Sequence, residues 1–261
     1  MMMTRHNINY EITDREMKDY IYCPVYYDFK YNNKSLKIDK PPTTNELLAK
    51  IVHTFCIGLM DGEVMDENTL KRKWSSLCRN NSDVMTSEKI AEGFSAIMKF
   101  YRWAEDNRIN VIDAVSRYKI KFFVNDNSID LTGSIGVILL NDYKQFEELV
   151  VDFSKAKPDQ SDLDKNLDIS MSHVGFYYSM PKSERISLIG TRIYHVKTNT
   201  EYYTTRDPQS EAKKVAKIAY NIAKGIRNNI YYPTQSPFCK KWCPVNNFCA
   251  MWGTAAVEDD N

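Results

Sequence analysis

The sequence predicts an α/β fold, a mixed β-sheet flanked by helices. Three observations carry this expectation. Apolar residues recur at helical spacing through much of residues 14–107, and the period then drops to two where residues 118–153 alternate like strands. The whole chain runs helix, three strands, helix, two strands, helix, the order of a sheet with helices on its faces. At 261 residues and 43% apolar content the chain can bury a sizeable core. Residues 1–257 therefore read as one domain, followed by an acidic tail at 258–261.

Thr13-Asp-Arg-Glu16 has the form of a capping box, and Met17, Tyr20 and Ile21 follow at helical spacing, so a short helix runs up to Pro24. Tyr26-Tyr-Asp-Phe29 is an aromatic run, and a polar, lysine-rich loop leads to Pro41-Pro42. Thr43-Thr-Asn-Glu46 is a second capping box. The stripe Leu47, Leu48, Ile51, Val52, Phe55 and Leu59 behind it predicts a buried helix that carries His53. Residues 67–107 read as wholly helical, forming an insert over about 62–110. In the core, 111–205, strands are expected at 118–124, 129–140 and 149–153, a helix at 163–180, and strands at 185–196 and 201–205. The last part, 206–253, holds an amphipathic helix from Ser210 to Asn228 and then the cysteines.

The formal net charge of +1 is uninformative about partners, but its distribution is not. Lys213, Lys214, Lys217, Lys224, Arg227, Lys240 and Lys241 fall close together with Glu211 as the main local acid, a candidate phosphate-facing surface. No run of about eighteen apolar residues exists, and Met-Met-Met-Thr-Arg-His lacks the apolar core of a signal peptide. A soluble, cytoplasmic protein with no membrane partner is expected, in the host cytoplasm if it is viral.

Six cysteines without a secretory signal argue for reduced thiols or metal ligands. Cys239, Cys243 and Cys249 form a close trio, and Tyr22-Cys23-Pro24 supplies a remote fourth thiol. Zinc sites tend to use two close pairs, whereas a trio plus one distant thiol is more typical of an iron–sulfur cluster. The favoured ligand set is Cys23, Cys239, Cys243 and Cys249, tying the chain ends together. The competing reading is that free cysteine acts as a small buried hydrophobe, which is the reading for Cys56 and Cys78.

With Cys23-Pro24 and the trio in place, nearly the whole chain resembles the iron–sulfur branch of the PD-(D/E)XK nuclease superfamily. That branch includes the RecB-like nuclease domain of AddB and the CRISPR-associated adaptation nucleases. The family more often has two residues between the first two cysteines of the trio, where this chain has Lys240, Lys241 and Trp242. The resemblance implies a restriction-endonuclease-like core, a 4Fe-4S cluster clasping the two ends, Mg²⁺ or Mn²⁺ at the active site, and DNA, as single strands or ends, for substrate. In such a site a carboxylate-held ion polarises the phosphoryl oxygen and activates a water while a lysine stabilises developing charge.

Four family motifs can be carried over. His53 matches the histidine on the helix before the sheet. Gly133-Ser-Ile-Gly136 stands where the family has Gly-x-Ile-Asp, so the metal-binding aspartate is replaced by Gly136. Asp152-Phe-Ser154-Lys155 stands where the family has Asp-x-Lys: Asp152 matches, Ser154 takes the lysine's place, and Lys155 is displaced by one residue to the opposite face unless a bulge realigns it. His173, with Tyr177, replaces the family's Gln-x-x-x-Tyr. Asp130 lies about 20 Å along an extended strand from Gly136 and cannot substitute directly, and Glu147 and Glu148 read as no better placed.

These departures leave two readings. One is a metal-dependent (exo)deoxyribonuclease working through His53, Asp152 and Lys155 with a degenerate motif, its substrate held by His173, Tyr177, Lys213, Lys217 and Lys224. The other is an inactive nuclease-fold DNA-binding or structural subunit, with a helicase, recombination or replication protein as partner. A third reading is a zinc-clasped interaction protein.

Overall fold

The structure, a computed structural model, describes residues 8–33, 41–185, 188–234, 239, 243–245 and 249. Lys240, Lys241 and the tail at 258–261 lie outside the described residues. The chain is α/β, and its strands form two mixed sheets. It divides into two compact units, Met1–Lys40 with Lys121–Thr132 and Ala216–Asn261, and Pro41–Ile120 with Gly133–Val215.

The first unit begins with β1 (Asn9–Thr13), α1 (Asp14–Tyr22) and α2 (Pro24–Tyr31). The capping box is present: Glu16 N–H donates to the Thr13 hydroxyl at 3.0 Å and Thr13 N–H donates to the Glu16 carboxylate at 2.8 Å. Strand β1 and helix α2 were not expected from the sequence. Pro24 starts α2 because its missing N–H is no loss at a first helical position. Strand β1 pairs in parallel with β4 (Asn127–Ser134), which neighbours β3 (Arg117–Val124), giving the order β1-β4-β3. The turn between β3 and β4 has Asn125 and Asp126 at positive φ, the geometry of a tight hairpin.

The second unit holds α3 (Thr44–Met60), α4 (Glu67–Arg79), α5 (Ser87–Asp106) and a five-stranded sheet. Its strands are β2 (Val111–Asp113), β5 (Val137–Leu140), β6 (Phe146–Asp152), β7 (Leu188–His195) and β8 (Thr200–Thr204), in the order β2-β5-β6-β7-β8. The helical stretch is broken. The Asn81 amide caps α4 by donating to Leu77 O at 2.8 Å, and Thr86 opens α5 by accepting from Lys89 N–H. The run expected as one strand at 129–140 is also split at Ile135–Gly136, and its halves belong to different sheets.

Strands β6 and β7 are parallel, connected through α6 (Gln160–Lys165) and α7 (Leu167–Ser179), while β5–β6 and β7–β8 are antiparallel. One face of this sheet is covered by α3, α4 and α5. Leu149, Tyr194 and Val196 join Phe55, Trp74 and Phe100 in the main core, and Trp103 stacks on Tyr194 at 4.5 Å. The other face carries α6 and α7, with Leu163 and Ile169 on Val150 and Ile193. Helix α8 (Pro208–Arg227) follows β8. Among the described residues no helix is long and apolar enough to cross a membrane.

Candidate functional site

Alternation along β6 sends Glu148, Val150 and Asp152 to the face covered by α7, and the register sets Thr191, Ile193 and His195 of β7 beside them. Glu147 points to the other face, where Arg192 Nη2 lies 2.7 Å from its carboxylate. Gly136 just precedes β5, whose antiparallel pairing sets Ile138 opposite Glu148. A Cβ added to Gly136 would stand 2.7 Å from Glu148 Oε1. Glu148 is thus directly against Gly136, contrary to its expected remoteness, because cross-strand neighbours meet where positions distant in sequence share a register.

The Glu148 carboxyl is fully buried and its pKa is pushed up to about 7 by desolvation, against hydrogen bonds from Ser172 and Thr191 and the Arg206 charge. Thr191 Oγ1 is 3.2 Å from Oε2. Gly136 N–H donates to Ser172 Oγ at 3.1 Å, so the glycine is bonded to α7 as well.

Asp152 is occupied by its own chain. Ser154 N–H donates to Oδ1 at 2.7 Å, and the Ser154 hydroxyl lies 2.9 Å from Oδ2, an Asx-type turn at the end of β6. His195, which the sequence reading missed, fixes this turn: its Nε2 donates to Ser154 O at 3.0 Å, and its Nδ1 pairs with Thr198 Oγ1 at 2.7 Å. It is fully buried. The residue in the lysine's expected position thereby hydrogen-bonds the Asp152 carboxylate.

The other carried-over residues are dispersed. The β6 register shift lies between Phe146 and Glu147, at the far end from Lys155, so no bulge there brings the lysine back to Asp152. Lys155 instead lines a cavity against α3 and α5. His53 is exposed on α3 and its Nε2 donates to Ala114 O at 2.5 Å, just past the edge strand β2 and about 10 Å, two strand spacings, from β6. His173 is buried with neither ring nitrogen in a formed hydrogen bond, and burial, aided by Arg206, lowers its pKa to about 4, so it is neutral. The Arg206 side chain is itself buried, Nη1 donating to Asp164 O at 2.7 Å and Nη2 to Leu163 O, where a cation suits the C-terminus of α6. Tyr177 stands apart with Arg185, whose guanidinium is 5.3 Å from the ring centre.

On α8, Lys213, Lys217 and Lys224 are exposed and recur on one stripe, opposite a face that buries Ala212, Val215, Ala219 and Ile222. Lys214 is engaged by Glu211 at 3.4 Å, and Arg227 lies over the Tyr10 ring.

The first unit contains all four of the candidate thiols. Tyr20 OH donates to Ile230 O at 2.6 Å, and Tyr27 stacks on Tyr231, so the N-terminal helices meet the segment leading to the trio. The Cys243 thiol is pushed up by burial and then by Cys239, Cys23 and Cys249, and Tyr22 is raised by burial and by Cys243, Cys239 and Cys23. All four are free thiols, a donor set suited to a thiolate-bound metal group. Among the described residues no three His, Cys, Asp or Glu side chains are grouped as a metal requires. Cys56, by contrast, is a buried thiol of the main core, pushed up to about 12 by desolvation alone.

No family model matches the chain. No curated protein matches it. Seventeen chains of solved structures do match. One of them, described as "Crystal structure of SSO0001", has a TM-score of 0.43 and 12% identity, covering 97% of this chain and 90% of that one.

Proposed function

We propose that this protein is a nuclease-fold module of PD-(D/E)XK kinship that binds DNA and does not hydrolyse it, serving as a subunit of a replication or recombination assembly. The observation that carries this reading is the capping of both Asp152 oxygens by Ser154, the residue standing where the catalytic lysine is expected. A carboxylate so engaged, beside a glycine in place of the second acidic ligand, holds a divalent ion poorly. The burial of Glu148, with its carboxyl favouring the protonated form near neutrality, supports the same conclusion. The kinship is supported by the order of β5, β6, α6–α7 and β7, in which two antiparallel strands are followed by helices and a parallel strand. The stripe of Lys213, Lys217 and Lys224 is the phosphate-tracking surface.

Cys23, Cys239, Cys243 and Cys249 would hold the 4Fe-4S cluster. When bound, that group fastens the N-terminal helices to the C-terminal segment and adds its binding energy to folding.

The test is DNA binding and cleavage on the same preparation, with single- and double-stranded substrates and either Mg²⁺ or Mn²⁺. Binding without cleavage is expected, unchanged by Asp152→Ala. Cleavage abolished by Asp152→Ala would establish an active nuclease instead, and absence of binding would remove the DNA assignment.

A further inference from the structure

Where β6 and β7 end side by side, a cavity of about 570 Å³ opens against the α3 and α5 helices. The carboxyl ends of parallel strands are where open α/β sheets take ligands. Lys89 and Lys99 enter its lining from α5, Lys155 from the turn after β6, and Lys197 from the turn after β7. All four are exposed, and among the described residues none forms an ion pair. Glu92 is the one acid in the lining, so four lysines against one glutamate leave three positive charges.

Two of the ammonium groups are fixed by backbone. Lys89 Nζ donates to Val84 O at 2.8 Å and Lys197 Nζ to Lys155 O at 3.1 Å, each keeping two further donors. Thr44 and Asn45 add the first turn of α3, whose dipole also favours an anion. Leu48, Phe153 and Val196 add an apolar part to the wall, beside the hydroxyl-bearing Ser95 and Ser154.

We propose that this cavity is a phosphomonoester site for a nucleotide unit, a free nucleoside monophosphate or the phosphorylated end of a DNA strand. The doubly charged phosphate meets the four lysines, and the base and sugar meet the apolar wall. A metal cation is excluded by the charge, and a singly charged carboxylate would leave most of it uncompensated. The site borders the Asp152 turn through Ser154 but is not lined by Asp152, and it does not use the α8 stripe; only the strand-end source rests on the DNA-binding reading.

The experiment compares a 5′-phosphorylated, a 3′-phosphorylated and an unphosphorylated oligonucleotide of one sequence, and deoxyadenosine monophosphate, on the whole chain. Wild type, Lys99→Glu/Lys155→Glu and Lys213→Glu/Lys217→Glu are each tested. The expected result is about tenfold tighter binding of one phosphorylated end than of the unphosphorylated one, a ratio lost in Lys99→Glu/Lys155→Glu and kept, at lower overall affinity, in Lys213→Glu/Lys217→Glu. If only the monophosphate binds, and Lys99→Glu/Lys155→Glu abolishes it, the site stands with a free nucleotide as its ligand while the DNA-binding reading falls. Equal affinity for all three oligonucleotides together with no binding of the monophosphate by wild type overturns the site. That wild-type comparison decides the matter even where a variant misfolds, which circular dichroism reports.

Discussion

Glu148 keeps its carboxyl against Gly136, with Oε1 2.7 Å from where a Cβ on that glycine would be. The space beside Gly136 is therefore filled by a buried side chain from the neighbouring strand.

Gly136→Asp is expected to destabilise the fold by about 1–3 kcal/mol, the usual cost of forcing extra atoms into a packed site, with like charges adding to it. Chemical denaturation of Gly136→Asp, Glu148→Ala and the double variant measures the coupling. The double variant should be more stable than the sum of the single effects predicts; strict additivity would mean the two positions do not compete for space.

Stability should depend on pH through two buried groups of opposite sign. Glu148 has a folded value of about 7 against an ordinary 4.5, so the folded state holds a proton that the unfolded chain releases between those values. Its contribution is full below about 4.5 and is lost as pH rises through about 7. His173 has a folded value of about 4 against 6.5, so its contribution is lost as pH falls from about 6.5 toward 4. Between about pH 4.5 and 6.5 the two slopes oppose and largely cancel, so Glu148→Gln should leave a stability that rises with pH across that window and should stabilise the protein at about pH 8, by up to a few kcal/mol. His173→Leu should leave a stability that falls with pH across the same window. Unfolding free energy measured across the range checks both, and a Glu148→Gln curve parallel to wild type would show that the carboxyl is not the titrating group.

Replacing Cys243, the thiol on which the other three act, by serine is expected to abolish bound metal and lower the melting temperature by several degrees. Iron, sulfide and zinc analysis of anaerobically purified wild type and variant is the measurement. Iron with equimolar sulfide supports the cluster, zinc supports the zinc-clasp reading, and a metal-free wild type rejects both.

Binding of a single strand should weaken steeply with salt, by a slope of about 0.7 per phosphate contacted. Lys213→Glu/Lys217→Glu/Lys224→Glu should lower affinity by at least about tenfold and reduce that slope by about 2. An unchanged slope would move the nucleic-acid surface away from α8.

Local rules made much of this architecture legible. The capping boxes at Thr13 and Thr43 and the apolar stripe from Leu47 to Phe55 mark helices that the structure contains, because a cap and a helical stripe are set by residues within a turn or two of each other. The displaced Lys155 was readable for the same reason, since alternation alone puts it on the face opposite Asp152. The short strands β1 and β2 escaped notice: five and three residues carry too little periodicity to distinguish them from loop.

The sequence by itself determined an α/β chain and a set of candidate thiols. Only the tertiary structure decided that residues 129–140 divide between two sheets, that Glu148 stands against Gly136, and that four lysines from three chain segments share one cavity. Period and capping are properties of adjacent residues, whereas register and crossing connections bring together side chains whose separation along the chain carries no record of their distance in space.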